Sequence, residues 1–112
     1  MPLVTAGADI ATVFRQHGIT IAIGAPVMSI YELAMAVSLN NRYRASAAYY
    51  GQDHLFEVTV AEKRGGMWVS TRTMAVALPT HNSDERQRQL ATQDLGGIAE
   101  VLHELLKEGP AS

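Results

Sequence analysis

Residues 54–78, HLFEVTVAEKRGGMWVSTRTMAVAL, hold two β-rich runs that meet at Gly65-Gly66. In the first run Phe56, Val58 and Val60 share one parity and Glu57, Thr59 and Lys63 the other, the alternation of a strand buried on one side. Glycine reaches positive φ at no steric cost, so Gly65-Gly66 suits a two-residue type I′ turn and the stretch reads as a hairpin. The second run changes phase. Met67 and Val69 have one parity, whereas Met74, Val76 and Leu78 have the other. Since a one-residue slip turns every later side chain over, the spacing predicts a β-bulge or a break in pairing within Ser70–Thr73. The alternative is that Met67 and Trp68 cap opposite faces of a twisted ribbon.

Upstream of the hairpin, Ile10, Val13, Phe14 and His17 recur at helical spacing, which predicts a helix from about Thr5 to His17 with Thr5 at its cap. Gly18 stands where a left-handed C′ residue belongs, and Ile19 beyond it is placed to fold back on Phe14. Ile19–Ile23 reads as a short buried strand, broken by Gly24-Ala25-Pro26 because proline has no ladder donor. Ser29 and Glu32 match the S-x-x-E capping box, with Met28 and Leu33 as its hydrophobic staple, and so predict the start of a second helix. Its buried face is Ile30, Leu33, Ala34 and Val37, and Asn40-Asn41 ends it. Arg42–Tyr50 reads as a strand with Tyr43, Ala45, Ala47 and Tyr49 on one side, and Gly51-Gln52-Asp53 as the turn that follows.

Downstream, Pro79–Asn82 is a loop, and Asn82 with Glu85 repeats the capping pattern. The last helix, from about Ser83 to Lys107, carries Ala91, Leu95, Ile98, Leu102 and Leu105 on one stripe. Each glycine of Gly96-Gly97 costs a helix interior about 1 kcal/mol relative to alanine, which predicts a kink or a close-passing backbone there. Gly109-Pro110 stops it. The fold expected is therefore α+β: an N-terminal helix followed by β-α-β-β-β-α, one antiparallel-rich sheet with helices packed on one face. A single domain over residues 1–112 is expected, with tails at 1–4 and 109–112.

Composition narrows the chemistry. A hydrophobic fraction of 47% is ample for a core and argues against a disordered chain. The net charge of −2, with basic residues scattered, argues against a dominant phosphate-backbone or acidic-membrane binder. The absence of cysteine removes disulfides, thiolate metal sites and cysteine nucleophiles. No apolar run is read as reaching the roughly 18 residues of a membrane span, and the N-terminus lacks the layout of a signal peptide. A cytoplasmic location fits this composition.

Few residues carry candidate chemistry. Gly24 and Ser29 flank a predicted helix N-terminus, where free backbone donors can bind an anion. Asp53-His54 beside Tyr49-Tyr50 is the one acid–histidine neighbour pair next to aromatics, but adjacent strand residues point to opposite faces, which leaves His54 unoriented by Asp53. His17, His54, His81 and His103 lack metal-ligand spacing, so neither a metal nor a cofactor is expected. Trp68 with Lys63 across the hairpin forms a candidate cation–π pair. Tyr43, Tyr49, Tyr50, Trp68 and Arg72 are candidate interface residues on the strands.

Three stretches resemble known families. GADIATVFRQHGITIAIGAP, residues 7–26, is similar to the opening of the pyrimidine-binding domain of thiamine-diphosphate enzymes. TIAIGAPVMSIYELA with EKRGGMWVSTRTM resembles the first strand–helix and hairpin of PfpI-like amidotransferase domains. SIYELA…YYGQDHLFEVTV, then a hairpin and a helix, is similar in order to a double-stranded-RNA-binding domain. The three exclude one another, and no family is assigned.

The reading that follows is a non-catalytic protein-binding or adaptor module working through an open sheet face or edge strand, as a homodimer or with another protein. The alternative is double-stranded RNA binding through Arg42, Arg44, Arg86 and Arg88. A second alternative is a small enzyme or ligand-binding domain using Ser29 or His54.

Overall fold

The computed structural model describes residues 9–111. Its elements are α1 (Ile10–Gln16), α2 (Ile21–Leu39), β1 (Tyr43–Tyr50), β2 (Leu55–Arg64), β3 (Met67–Ala77) and α3 (Glu85–Lys107). The three strands form one antiparallel sheet in the order β1-β2-β3. The class is α+β.

The central hairpin forms as its alternation predicts. Gly65 and Gly66 both have positive φ, 58° and 81°, as a type I′ turn requires. The phase change is resolved by a bulge: Val60 pairs with Arg72 and Ala61 with Ser70, which leaves Thr71 as the extra residue on β3. Phe56, Val58 and Val60 are buried, as are Ala45 on β1 and Val76 on β3. These lie in register, Val60 opposite Ala45 and Phe56 opposite Val76, and so form one alternate set.

That set meets the helices. α2 packs on β1 and on α3, while α3 also reaches β3. Ile23, Ile30, Ala34 and Val37 of α2 and Ala91, Leu95, Ile98 and Leu102 of α3 join the strand residues in a single core. Burying a side chain such as Phe56, which is 0% exposed, stabilises the fold by about 1.5–3 kcal/mol.

The strand expected at Ile19–Ile23 is absent, so the order is α-α-β-β-β-α and not α-β-α-β-β-β-α. Helix α2 begins at Ile21, with Thr20 as N-cap, and runs through Gly24 and Pro26. Proline forfeits one helical hydrogen bond and crowds the preceding turn. Here the carbonyl left without its donor belongs to Ala22, an exposed residue, where water can reach it. A short apolar run does not distinguish a buried strand from a helix turn, and here Ile23 is buried in the common core as part of a helix. Ser29 is consequently a mid-helix residue and caps nothing. As one helix, Ile21–Leu39 is long and apolar enough by length and composition to cross a membrane, contrary to the expectation from separate runs.

Other boundaries shift locally. Asp9 caps α1, accepting from the Ala11 amide at 3.1 Å and the Thr12 hydroxyl at 2.9 Å, while Thr5 lies outside the described residues. The end of α1 follows expectation: Gly18 has φ +88°, its amide donates to Arg15 O, and the Ile19 amide donates to Phe14 O at 2.8 Å. Helix α3 starts two residues later than predicted, through a capping box made by Asp84 and Gln87 in place of Asn82 and Glu85. It is continuous through Gly96 and Gly97, and no atom beyond the helix lies within 4 Å of a Cβ built on either.

Two ties hold the ends together. The Arg88 guanidinium donates to the carbonyls of Ser83, Gly18 and Thr80 at 3.3, 3.3 and 3.2 Å, joining the α1–α2 turn to the β3–α3 loop. The Arg42 guanidinium donates to Gly109 O and Pro110 O at 3.3 and 3.1 Å, fastening the end of α3 to the start of β1.

Candidate binding surfaces

Each strand offers a second alternate set, and the register arranges it in rows across the sheet. Tyr50, Leu55 and Ala77 form one row, then Ala48, Glu57 and Ala75, then Ser46, Thr59 and Thr73, then Arg44, Ala61 and Ser70. Lys63 and Trp68 follow at the hairpin end. None of these residues is buried. The middle rows are built mainly from small side chains and make a level floor.

The bulge determines what stands at its end. In sequence Trp68 shares the parity of the helix-facing Met74 and Val76, and leaving Thr71 out of the ladder turns it over onto the floor. There the Arg44 guanidinium lies 4.3 Å from the Trp68 ring centroid. The small Ala61 between them on β2 leaves room for that reach. Arg44, and not Lys63, is therefore the cation on Trp68. At the other end the Tyr50 hydroxyl donates to Glu57 at 3.4 Å. Arg72 belongs to the other set and is exposed at the bulge.

The two outer edges differ. Ser38 at the end of α2 occupies the β1 edge: its hydroxyl accepts from the Ala45 amide at 2.9 Å and donates to the Ala45 carbonyl at 3.0 Å. β3 is the other edge of the sheet, and among the described residues no strand pairs along its outer side. Tyr43 belongs to the other alternate set, with Ala45, and its hydroxyl donates to the Glu108 carboxylate, lying 2.9 and 3.0 Å from its two oxygens. The hydrogen bond to Glu108, followed by desolvation, raises the Tyr43 pKa above its ordinary value.

Tyr49 lies on the opposite side of β1 and meets His54. The Tyr49 hydroxyl is 2.7 Å from His54 Nδ1, and His54 Nε2 is 3.0 Å from the Pro79 carbonyl. Their rings cross edge to face at 88°, centroids 5.6 Å apart. His54 reaches this position because it is a turn residue with φ +51°, not a strand residue, and Asp53 plays no part in orienting it. Both residues line a pocket of about 400 Å³ together with Phe14 and His17 of α1, Val27, Met28 and Tyr31 of α2, and Leu78. Gly24 lines it too, as a mid-helix residue, so Gly24 and Ser29 form no helix-terminal anion site.

The four candidate RNA-binding arginines do not converge. Arg42 and Arg88 are spent on backbone carbonyls and Arg44 on Trp68. Arg86 stands in the first turn of α3 beside Asp84 and Glu85. No family model, curated protein or solved structure matches the chain.

Proposed function

We propose that the chain is a non-catalytic protein-binding module that receives its partner on the floor of the sheet and along the β3 edge. The carrying observation is the second alternate set of strand residues, which no described element covers. In this proposal α2 and α3 both pack on the Phe56–Val58–Val60 side: α2 reaches the sheet through β1 and α3 through β3, and both share one core with those three residues. A single pleated layer with one bare side is a surface that a second molecule completes. The blocked β1 edge and the open β3 edge bias strand pairing to the β3 side. A second copy of the chain is the simplest partner.

Nothing on the floor is arranged for bond-making. His54 uses both ring nitrogens within the chain, one on the Tyr49 hydroxyl and the other on the Pro79 carbonyl, and it lies off the floor. The double-stranded-RNA reading keeps the element order α2-β1-β2-β3-α3 in its favour but lacks a convergent basic surface.

Sedimentation of the wild type against concentration, with Thr59→Arg and Ala75→Arg as floor variants, tests the reading. Wild-type dimers that both variants dissociate support it. Trp68, the single tryptophan, reports on the same surface, and Arg44→Ala is expected to alter its emission in the free chain. A wild type that stays monomeric at every concentration, with hydrogen exchange as slow on the floor as in the core, refutes it.

A further inference from the structure

We infer that the pocket beneath Tyr49 and His54 is a second, independent site, one for a small uncharged molecule with an apolar body and a single hydrogen-bond donor. Its size, about 400 Å³, lies within the range of small-molecule sites. Among the described residues, no Asp, Glu, Lys or Arg lines it. A charged ligand would therefore lose hydration with no counter-charge to offset the loss. The walls from Phe14, Val27, Met28 and Leu78 take the apolar body.

The polarity of the head group follows from one chain of hydrogen bonds. A carbonyl only accepts, so the proton on the neutral His54 imidazole sits on Nε2, donated to Pro79 O at 3.0 Å. Nδ1 is then an acceptor, and the Tyr49 hydroxyl must donate to it across 2.7 Å. The tyrosine has a single proton, and it is committed. What Tyr49 offers a ligand is its oxygen lone pairs. Tyr49 is thus an acceptor whose direction is set by His54, and the complementary group is an alcohol, phenol or N–H. Tyr31 is held by its ring, 5.5 Å from that of Phe56, and contributes wall to the site.

The experiment pairs 1-naphthol with 1-methoxynaphthalene, which has the same rings and no donor, titrated by calorimetry at mildly alkaline pH. Naphthol is expected to bind about fivefold more tightly, the size of one ordinary hydrogen bond. Tyr49→Phe should erase that preference while leaving the methoxy compound unaffected. Met28→Glu, at an exposed wall position, should weaken both ligands without unfolding the chain. Equal affinity of the two ligands for the wild type overturns the acceptor assignment. Binding that Met28→Glu leaves unchanged, or no saturable binding at all, overturns the site. Thr59→Arg, on the other side of the sheet, should bind both ligands as the wild type does, which separates this result from the fate of the sheet surface.

Discussion

Gly18 offers the sharpest test of how the N-terminal helix is attached. Its φ of +88° is left-handed, and a Cβ built on it would lie 2.3 Å from Thr80 C, 2.5 Å from His81 N and 2.6 Å from Thr80 O. These are backbone atoms, so no side chain can swing aside. Gly18→Ala first incurs about 1–2 kcal/mol for a non-glycine residue in that conformation. The turn must then retreat from Thr80, which stretches the 3.3 Å bond from Arg88 Nη1 to Gly18 O beyond use. A half-buried charged donor losing one carbonyl adds about 1 kcal/mol, taken at the low end because water can replace part of it. The sum, about 2–3 kcal/mol, is a large share of the roughly 5–15 kcal/mol that holds a domain folded. Urea unfolding followed by circular dichroism should show it, with a fall in Tm of roughly 10–20 °C. Arg88→Lys should act in the same direction and less strongly, because a lysine cannot serve the three carbonyls together. A Gly18→Ala protein within about 0.5 kcal/mol of wild type, the scale of an ordinary surface change, would refute the close approach of the two loops.

Two further outcomes follow. Gly96→Ala and Gly97→Ala each place a methyl group where nothing lies within 4 Å, so each should raise stability by about 1 kcal/mol in the same unfolding assay; a loss at either would mean a contact that the fold lacks. For Tyr43, the folded pKa is raised, so its contribution is complete below the unfolded tyrosine pKa and is lost as pH rises through the higher folded value. Tyrosinate absorbance at 295 nm should show one late-titrating group that Tyr43→Phe or Glu108→Gln removes, and four tyrosines titrating together would contradict it.

The hairpin was legible because its information is local: alternation in Phe56–Val58–Val60, a glycine pair for the turn, and a parity change that only an extra residue reconciles. The core stripes of α2 and α3 were legible for the same reason. The start of α2 was not. Ile19–Ile23 is short and β-branched-rich, Gly24 and Pro26 look like punctuation, and Ser29-x-x-Glu32 matches a cap, yet the helix starts at Ile21 and buries Ile23 in the common core. Of the pocket, Tyr49 and His54 were each visible as candidates, but their pairing depends on a left-handed His54 that nothing in Gly51-Gln52-Asp53 specifies. Phe14, Val27 and Leu78 carry no mark in the sequence that separates a pocket wall from a core filler.

Thr71 makes the hairpin tip a separable unit of specificity. Were it drawn into the ladder opposite Ala61, everything from Met67 to Ser70 would shift one place along β2 and rotate by half a turn about the strand. The indole would leave its cationic neighbour for the opposite side, and Met67 and Val69 would rise in its place, giving a thioether and an aliphatic branch where a flat aromatic had been. Holding Thr71 out of the ladder thus selects which side chains such a domain presents at its tip while its core stays untouched.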